Sequence, residues 1–249
     1  MLKKLELKFR EFFPKHLKNK RIYQETLKGL EGIEIGGPSP AFGPKGLLPV
    51  YQSLSTLDGC NFSNDTVWEG KLTAGKTYRF ADGKPAGTQF IAEGNDLAQV
   101  ADNAYDVVLS CHNLEHFANP LKALYEWKRI TKPGGYLLLV VPNKEKTFDH
   151  LRPVTTLSHI IQDHEVNMPE TDDTHFEESI LLHDLELGPS VGGREALRER
   201  TMKNIENRCV HHHVFDQKFT LEIMAYTNYE VMATDLSQVN IFVLAKNIK

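Results

Sequence analysis

Cysteine is scarce in this 249-residue chain: Cys60, Cys111 and Cys209 are too few and too scattered to form a disulfide framework. No stretch of 18 apolar residues and no signal-peptide pattern occurs, so a reduced, soluble, cytoplasmic protein is the expectation. Positive charge is also short. The formal net charge is −4, and eight Lys and Arg against Glu6 and Glu11 place +6 on residues 1–21, leaving −10 on the other 228. A chain with that balance lacks the general basic face a duplex needs, so no nucleic-acid partner is expected. The sequence has no Gly-x-Ser-x-Gly elbow, no Gly-x-x-x-x-Gly-Lys-Ser/Thr phosphate loop, no Cys-x-x-Cys pair and no internal repeat.

What is present is 41% hydrophobic residues, enough to build one large α/β domain over residues 1–249. Residues 2–30 read as a helical cap over residues 1–30, with Leu2, Leu5, Phe9, Phe12 and Phe13 near one face and Pro14 ending or kinking its first part. Its basic amphipathic character also suits an anionic membrane surface. Gly32-Ile-Glu-Ile-Gly-Gly-Pro-Ser-Pro40 is an apolar strand ending in glycines that opens a loop. Pro38 removes an N–H that a Gly-x-Gly-x-x-Gly dinucleotide fingerprint would use on phosphate, which counts against a nicotinamide cofactor. A second strand is expected over Val50 to Leu57, followed by Asp58. Asn61 to Gln89 is poorly patterned, a short helix plus a loop or hairpin, and Phe90 starts a third strand that runs into a polar turn.

Tyr105-Asp-Val-Val-Leu-Ser-Cys-His-Asn-Leu-Glu-His116 is a buried strand followed by a polar loop. Asn119-Pro120 then starts an amphipathic helix to about Thr131, and Lys132-Pro-Gly-Gly135 turns into a fifth strand, Tyr136 to Val141. This block resembles the middle of a class I S-adenosylmethionine-dependent methyltransferase, of the type 11-like kind. The family pattern is Asp-x-Val, a loop with Glu-His, a helix, then Lys-Pro-Gly-Gly and an apolar strand. The resemblance spans Glu31 to Pro153. Beyond the fifth strand, Pro142-Asn-Lys-Glu-Lys-Thr-Phe-Asp149, Arg152, Pro153 and Thr155 resemble a bacterial methyltransferase subgroup.

The resemblance implies a doubly wound, mostly parallel seven-stranded α/β sheet with an inserted lid over residues 150–210 and S-adenosylmethionine as cofactor. The cofactor residues it implies are Glu34, Gly36 and Gly37 at the first strand, Asp58 on the ribose, Glu93 and Gly94 beside the adenine with Asp96 as the alternative register, and Cys111. Within the lid, residues 163–187 carry nine carboxylates and three histidines without Lys or Arg, a solvated face or a substrate-recognition insert. Arg194 to Arg208 reads as a basic helix, another helix starts near Thr220, and two final strands close the sheet.

His112, just past the fourth strand where a transferable methyl would face, is the candidate general base, because its ordinary pKa lies near working pH. Its alternative role is to hydrogen-bond the loop or line the cofactor pocket. His112, Glu115 and His116 share a helical face at i, i+3, i+4 if the helix starts early, and one of His211 to His213, with His213 the choice, would complete a site for Zn²⁺, Mn²⁺ or Fe²⁺. That set is similar to the metal site of small-RNA 3′-terminal 2′-O-methyltransferases, with His112 in place of a Glu. The expected activity is O-methylation of a small-molecule, sugar or glycan-linked acceptor. The rivals are an NAD(P)-dependent oxidoreductase and a methyltransferase-like binding module without turnover.

Overall fold

The computed structural model describes residues 17–188, 192–237 and 239–249. The basic amphipathic segment that suggested a membrane surface lies largely outside them, and the described part of the cap is α1 (Lys20–Thr26). In chain order there follow β1 (Glu31–Ile35), β2 (Thr56–Asn61), β3 (Gly75–Tyr78), β4 (Gly87–Ile91), β5 (Tyr105–Cys111), α2 (Pro120–Ile130) and β6 (Thr131–Pro142). Then come α3 (Leu157–Glu165), α4 (Phe176–Leu182), α5 (Arg194–Thr201), α6 (Asn204–Asn207), α7 (Gln217–Tyr226), β7 (Tyr229–Leu236) and β8 (Asn240–Asn247).

The main sheet has the order β3-β4-β2-β1-β5-β6-β8-β7. Its five central strands, β4 to β6 in that order, are parallel, and β8 and β7 close one edge antiparallel. The sheet therefore has eight strands and not seven. The extra edge strand β3 pairs antiparallel with β4 and comes from the segment whose mixed Gly, Thr, Lys and aromatic composition gave no clear period.

Parallel strands covered on both faces read as unbroken apolar runs, and here alternate residues feed two cores. Ile33, Ile35, Val108, Leu137 and Leu139 face α2 and α7 through Leu121, Leu124, Trp127, Phe219 and Ile223. Leu57, Val107, Leu109, Leu138 and Val140 face α1 and the chain after β1 through Tyr23, Leu27, Phe42 and Tyr51. Gly32 is needed because a Cβ there would sit 2.9 Å from Val107 Cγ1. Asn119 caps α2 by accepting from the Lys122 N–H, with Pro120 at the first helical position, as its sequence predicts.

Two boundaries differ from expectation. The second strand is Thr56–Asn61, while Tyr51–Ser53 forms a 3₁₀ turn, so Asp58 lies inside the strand, paired with Ile33. The basic helix predicted to Arg208 breaks after Thr201, and Arg208 itself adopts φ +50°. No helix among the described residues is long and apolar enough to cross a membrane.

Candidate active site

The carboxyl tips of β1, β2, β4 and β5 converge on a cavity of about 380 Å³, within the range of small-molecule sites. Such tips are where open α/β sheets hold ligands. Of the residues singled out in the sequence, Gly36, Glu93, Gly94, Cys111, His112 and His116 line it.

At the β1 tip Gly36 has φ +82°, and a Cβ there would fall 2.8 Å from Asn113 Oδ1, so both backbone and packing require glycine. Asn113 also lines the cavity, and its Nδ2 is buried without a hydrogen-bond partner. Glu34 is fully buried beneath the loop and not on the cavity wall. Its carboxylate accepts from the Ser39 N–H at 3.1 Å and from the Tyr51 and Tyr78 hydroxyls at 2.7 Å each. Burial raises its pKa and these three donors oppose the rise. Gly37 makes that packing fit, since a Cβ would reach within 2.2 Å of the Glu34 carboxyl carbon. Both residues anchor the loop; neither faces the hollow.

Asp58 is the main correction. It accepts from the Thr88 N–H at 2.6 Å and from the Tyr105 hydroxyl at 2.7 Å, and Tyr105 begins β5, at the end of that parallel strand away from the cavity. The residue that reaches the β2 tip and lines the cavity is Asn61, whose Oδ1 accepts from Gln89 Nε2 at 2.9 Å. The error came from placing the strand three or four residues too early.

At the β4 end, Gly94 lets the backbone pass Ile35 and Phe117, and its carbonyl accepts from the buried Trp127 indole N–H at 2.8 Å. Glu93 pairs with Arg208 at 2.6 Å, and Arg208 also binds Glu170 at 2.9 Å. Burial pushes the Glu93 carboxyl upward while Arg208 pulls it down, and the net shift is upward. Glu170 further accepts from Asn95 Nδ2 at 2.8 Å, so the lid is tied to the loop after β4. The Arg208 guanidinium lies 5.4 Å from the Phe62 ring centroid, and Trp68 lies against His116 at 5.7 Å between ring centroids. Sequence reasoning missed Arg208, Glu170, Phe62, Trp68 and Asn240 on this wall. Only the unabsorbed acidic and basic segments of the lid signalled any of them.

His112 ends β5 in the left-handed region at φ +50°. Its N–H donates to the Val140 carbonyl, and its ring is fixed by Asn240 Oδ1 at 2.7 Å from Nε2. With Asn240 accepting from Nε2–H, the basic nitrogen is Nδ1, 3.9 Å from Glu115 Oε1. Cys111 lies beside it with burial raising its thiol pKa, which keeps it a neutral wall.

The expected metal set is only partly assembled. Leu114–His116 is a single 3₁₀ turn. Glu115 is fully buried and both carboxylate oxygens lack a hydrogen-bond partner. Burial raises its pKa, opposed by His112 and His211. His116 donates Nδ1–H to the Val210 carbonyl at 2.9 Å, and burial lowers its pKa far enough to keep it neutral. His211 joins this group in place of His213: Glu115, His116 and His211 bring ligand atoms within 4.8 Å of one another. His213 donates its backbone N–H to the Glu115 carbonyl and packs its ring instead against His159 and His175.

The residues after β6 explain the Thr-Phe-Asp and Arg-Pro-x-Thr signature. Asp149 accepts from His211 Nδ1 and from Arg152 at 3.0 Å. Arg152, 1% exposed, also binds Glu178 of α4 and the His211 carbonyl. Thr155 exchanges hydrogen bonds with Val214.

Residues 68–139 match the family model described as a methyltransferase domain. The protein named "Probable methyltransferase ltbC" of Aspergillus luteorubrus is 34% identical over 92 residues, which are 35% of this chain and about a third, 32%, of that protein. Among solved structures, a SAM-dependent methyltransferase of Methanosarcina mazei superposes with TM-score 0.50 at 13% identity, covering 91% of this chain and 97% of its own. A candidate methyltransferase of Bacillus halodurans gives TM-score 0.51 at 11% identity, covering 93% and 98%. At those identities the structures speak for the fold alone.

Proposed function

We propose, from the premise that this chain is a class I S-adenosylmethionine-dependent methyltransferase in its fold and matched segment, that it methylates a hydroxyl of a small-molecule, sugar or glycan-linked acceptor. The observation that carries the reading is His112: a half-exposed imidazole at the tip of β5, held by Asn240 with Nδ1 free, on the wall of the cavity.

The cavity residues suit the cofactor. Asn61 and Glu93 supply polar groups at neighbouring strand tips, Gly36 and Gly94 keep the backbone close, and the orphaned Asn113 Nδ2 offers a donor that the folded chain does not otherwise use. When bound there, the sulfonium supplies an electrophilic methyl and a neutral thioether leaving group. The chain's own residues supply orientation and a proton acceptor. His112 Nδ1 would take the proton of an acceptor hydroxyl aligned with that methyl and would end as the imidazolium. Glu115, 3.9 Å from that nitrogen, stabilises the imidazolium.

The experiment is His112→Ala with labelled cofactor and a panel of hydroxyl acceptors, alongside calorimetry with S-adenosylhomocysteine. We expect turnover to fall at least about 100-fold, the scale of a lost general base, with cofactor Kd nearly unchanged. Full turnover in that variant removes His112 from the reading, and absence of nucleoside binding by the wild type removes the activity. The buried, unpartnered Glu115 favours a second reading, in which Glu115, His116 and His211 hold a divalent ion beside the acceptor oxygen. In that case His112→Ala retains turnover and Glu115→Gln loses it.

A further inference from the structure

A second histidine cluster lies apart from the cofactor cavity, beneath the lid. His159 and Asp163 stand one turn apart on α3, His175 immediately precedes α4, and His213 comes from the segment between α6 and α7 that also carries His211. The three imidazoles form a near-equilateral triangle with centroid separations of 5.0, 5.6 and 5.7 Å. His159 Nε2 and His175 Nε2 share a hydrogen bond at 3.0 Å, and His159 Nε2 lies 3.5 Å from Asp163 Oδ2; His213 Nε2, 3.8 Å from that same oxygen, donates to the Ala118 carbonyl at 3.4 Å, which leaves Nδ1 as its ligand atom. One ring nitrogen from each of the three histidines falls within 4.8 Å of the others. Four ligands around a tetrahedral zinc, at bonds near 2.1 Å, stand roughly 3.4 Å from one another.

Asp163 is 3% exposed and its Oδ2 has no hydrogen-bond partner; His213 is 1% exposed with Nδ1 likewise unpartnered. A buried carboxylate facing imidazoles is costly unless a cation neutralises it. Neutral imidazoles with free lone pairs are metal ligands. His159 remains 37% exposed by its side chain, which gives an ion a way in.

We propose that His159, Asp163, His175 and His213 bind one divalent first-row ion, Zn²⁺ by ligand type and tetrahedral spacing, as a structural site. The ion staples α3 and the start of α4 to the 211–215 segment, closing a unit that the chain builds from residues more than 50 positions apart. Glu170, which lines the cofactor cavity and pairs with Arg208, lies on the loop between the ligands Asp163 and His175. Fixing that loop therefore fixes one wall of the nucleoside site. The metal assignment does not depend on the methyl-transfer reading, since ion stoichiometry is measured without cofactor or acceptor.

The test is full-length protein purified without a histidine tag, stripped with chelator, reloaded with Zn²⁺ alone and freed of excess ion before elemental analysis. Wild type and Asp163→Asn, His175→Ala and His211→Ala variants are compared. We expect the first two variants to hold one equivalent less than wild type, whether or not His211→Ala, which touches the other cluster, loses an ion of its own. Chelation should lower the wild-type Tm by roughly 5–10 °C, the effect of an ion present at about 100 times its Kd on a domain of this size. Should the variants fail to fold, wild-type protein loaded with Co²⁺ alone must show tetrahedral visible absorption that one equivalent of Zn²⁺ abolishes. Equal stoichiometry in wild type, Asp163→Asn and His175→Ala overturns the site, as does a wild type that binds neither ion.

Discussion

Replacing Asp149 by Asn removes one charge from a buried ionic network that links Asp149, Arg152 and His211. Asp149, Arg152 and His211 are 3%, 1% and 7% exposed, so solvent screens little of their interaction. Burial alone would raise the Asp149 pKa, but His211 and Arg152 overcome it and hold the carboxyl at about 2 against an ordinary 3.8. Close to two pKa units at about 1.4 kcal/mol each gives roughly 2–3 kcal/mol of stability at neutral pH. Asn is nearly isosteric and keeps one acceptor, and Arg152 retains Glu178 and two backbone carbonyls, so the loss should stay near the low end of the roughly 3–5 kcal/mol seen when a buried pair is broken. We expect Asp149→Asn to lose about 3 kcal/mol in urea titrations at pH 6 with unchanged slope, and about 6–12 °C in Tm.

The pH dependence of that difference carries its own sign. Asp149 has a depressed pKa, so its contribution is present above 3.8 and is lost as pH falls from 3.8 through about 2. Burial pushes His211 down, but Asp149 more than reverses this and the net pKa is raised. The His211 contribution is thus full below 6.5 and is lost as pH rises through its raised value. The gap between wild type and Asp149→Asn should therefore be widest between about pH 4 and 6.5 and narrow on both sides. A gap under about 0.5 kcal/mol at pH 6, the scale of an unremarkable surface substitution, refutes the reasoning.

Two further outcomes concern the nucleoside wall. Asp58→Asn should leave S-adenosylhomocysteine affinity within about twofold of wild type, while Asn61→Ala weakens it about tenfold, the scale of one lost hydrogen bond; calorimetry showing the reverse order returns Asp58 to the ribose. Arg208→Ala leaves Glu93 and Glu170 without the guanidinium that bridges them, so nucleoside Kd should rise at least about tenfold, and an unchanged Kd would mean the Glu93–Arg208–Glu170 bridge does not shape the site.

The parts of the fold legible in the sequence were those set by neighbours along the chain. Tyr105–Cys111, the Asn119-Pro120 helix start and the closing pair β7 and β8 follow from apolar runs, a cap and a proline, and each is present in the fold. Gly36 and Gly94 were readable because only glycine suits a backbone that must bend or pass closely at a strand tip. Asp58 was misplaced because an Asp-Gly pair reads as a turn, whereas here Gly59 lies within the strand against Tyr78, where a Cβ would come within 2.1 Å of its ring.

The sequence alone thus determined a parallel α/β sheet, the strand tips where a ligand can lie and the imidazole at the end of β5, because strand periodicity and turn chemistry act over a few residues. Tertiary structure decided how three consecutive histidines are shared out: His211 to Asp149 and the vicinity of Glu115, His212 to Asn204 and Asp172, His213 to Asp163 and His159. It also decided that Arg208 meets Glu93 from 115 positions away. Identical side chains carry no local mark of their partners; only the packing of the lid on the sheet, which fixes where each ring is buried, tells them apart.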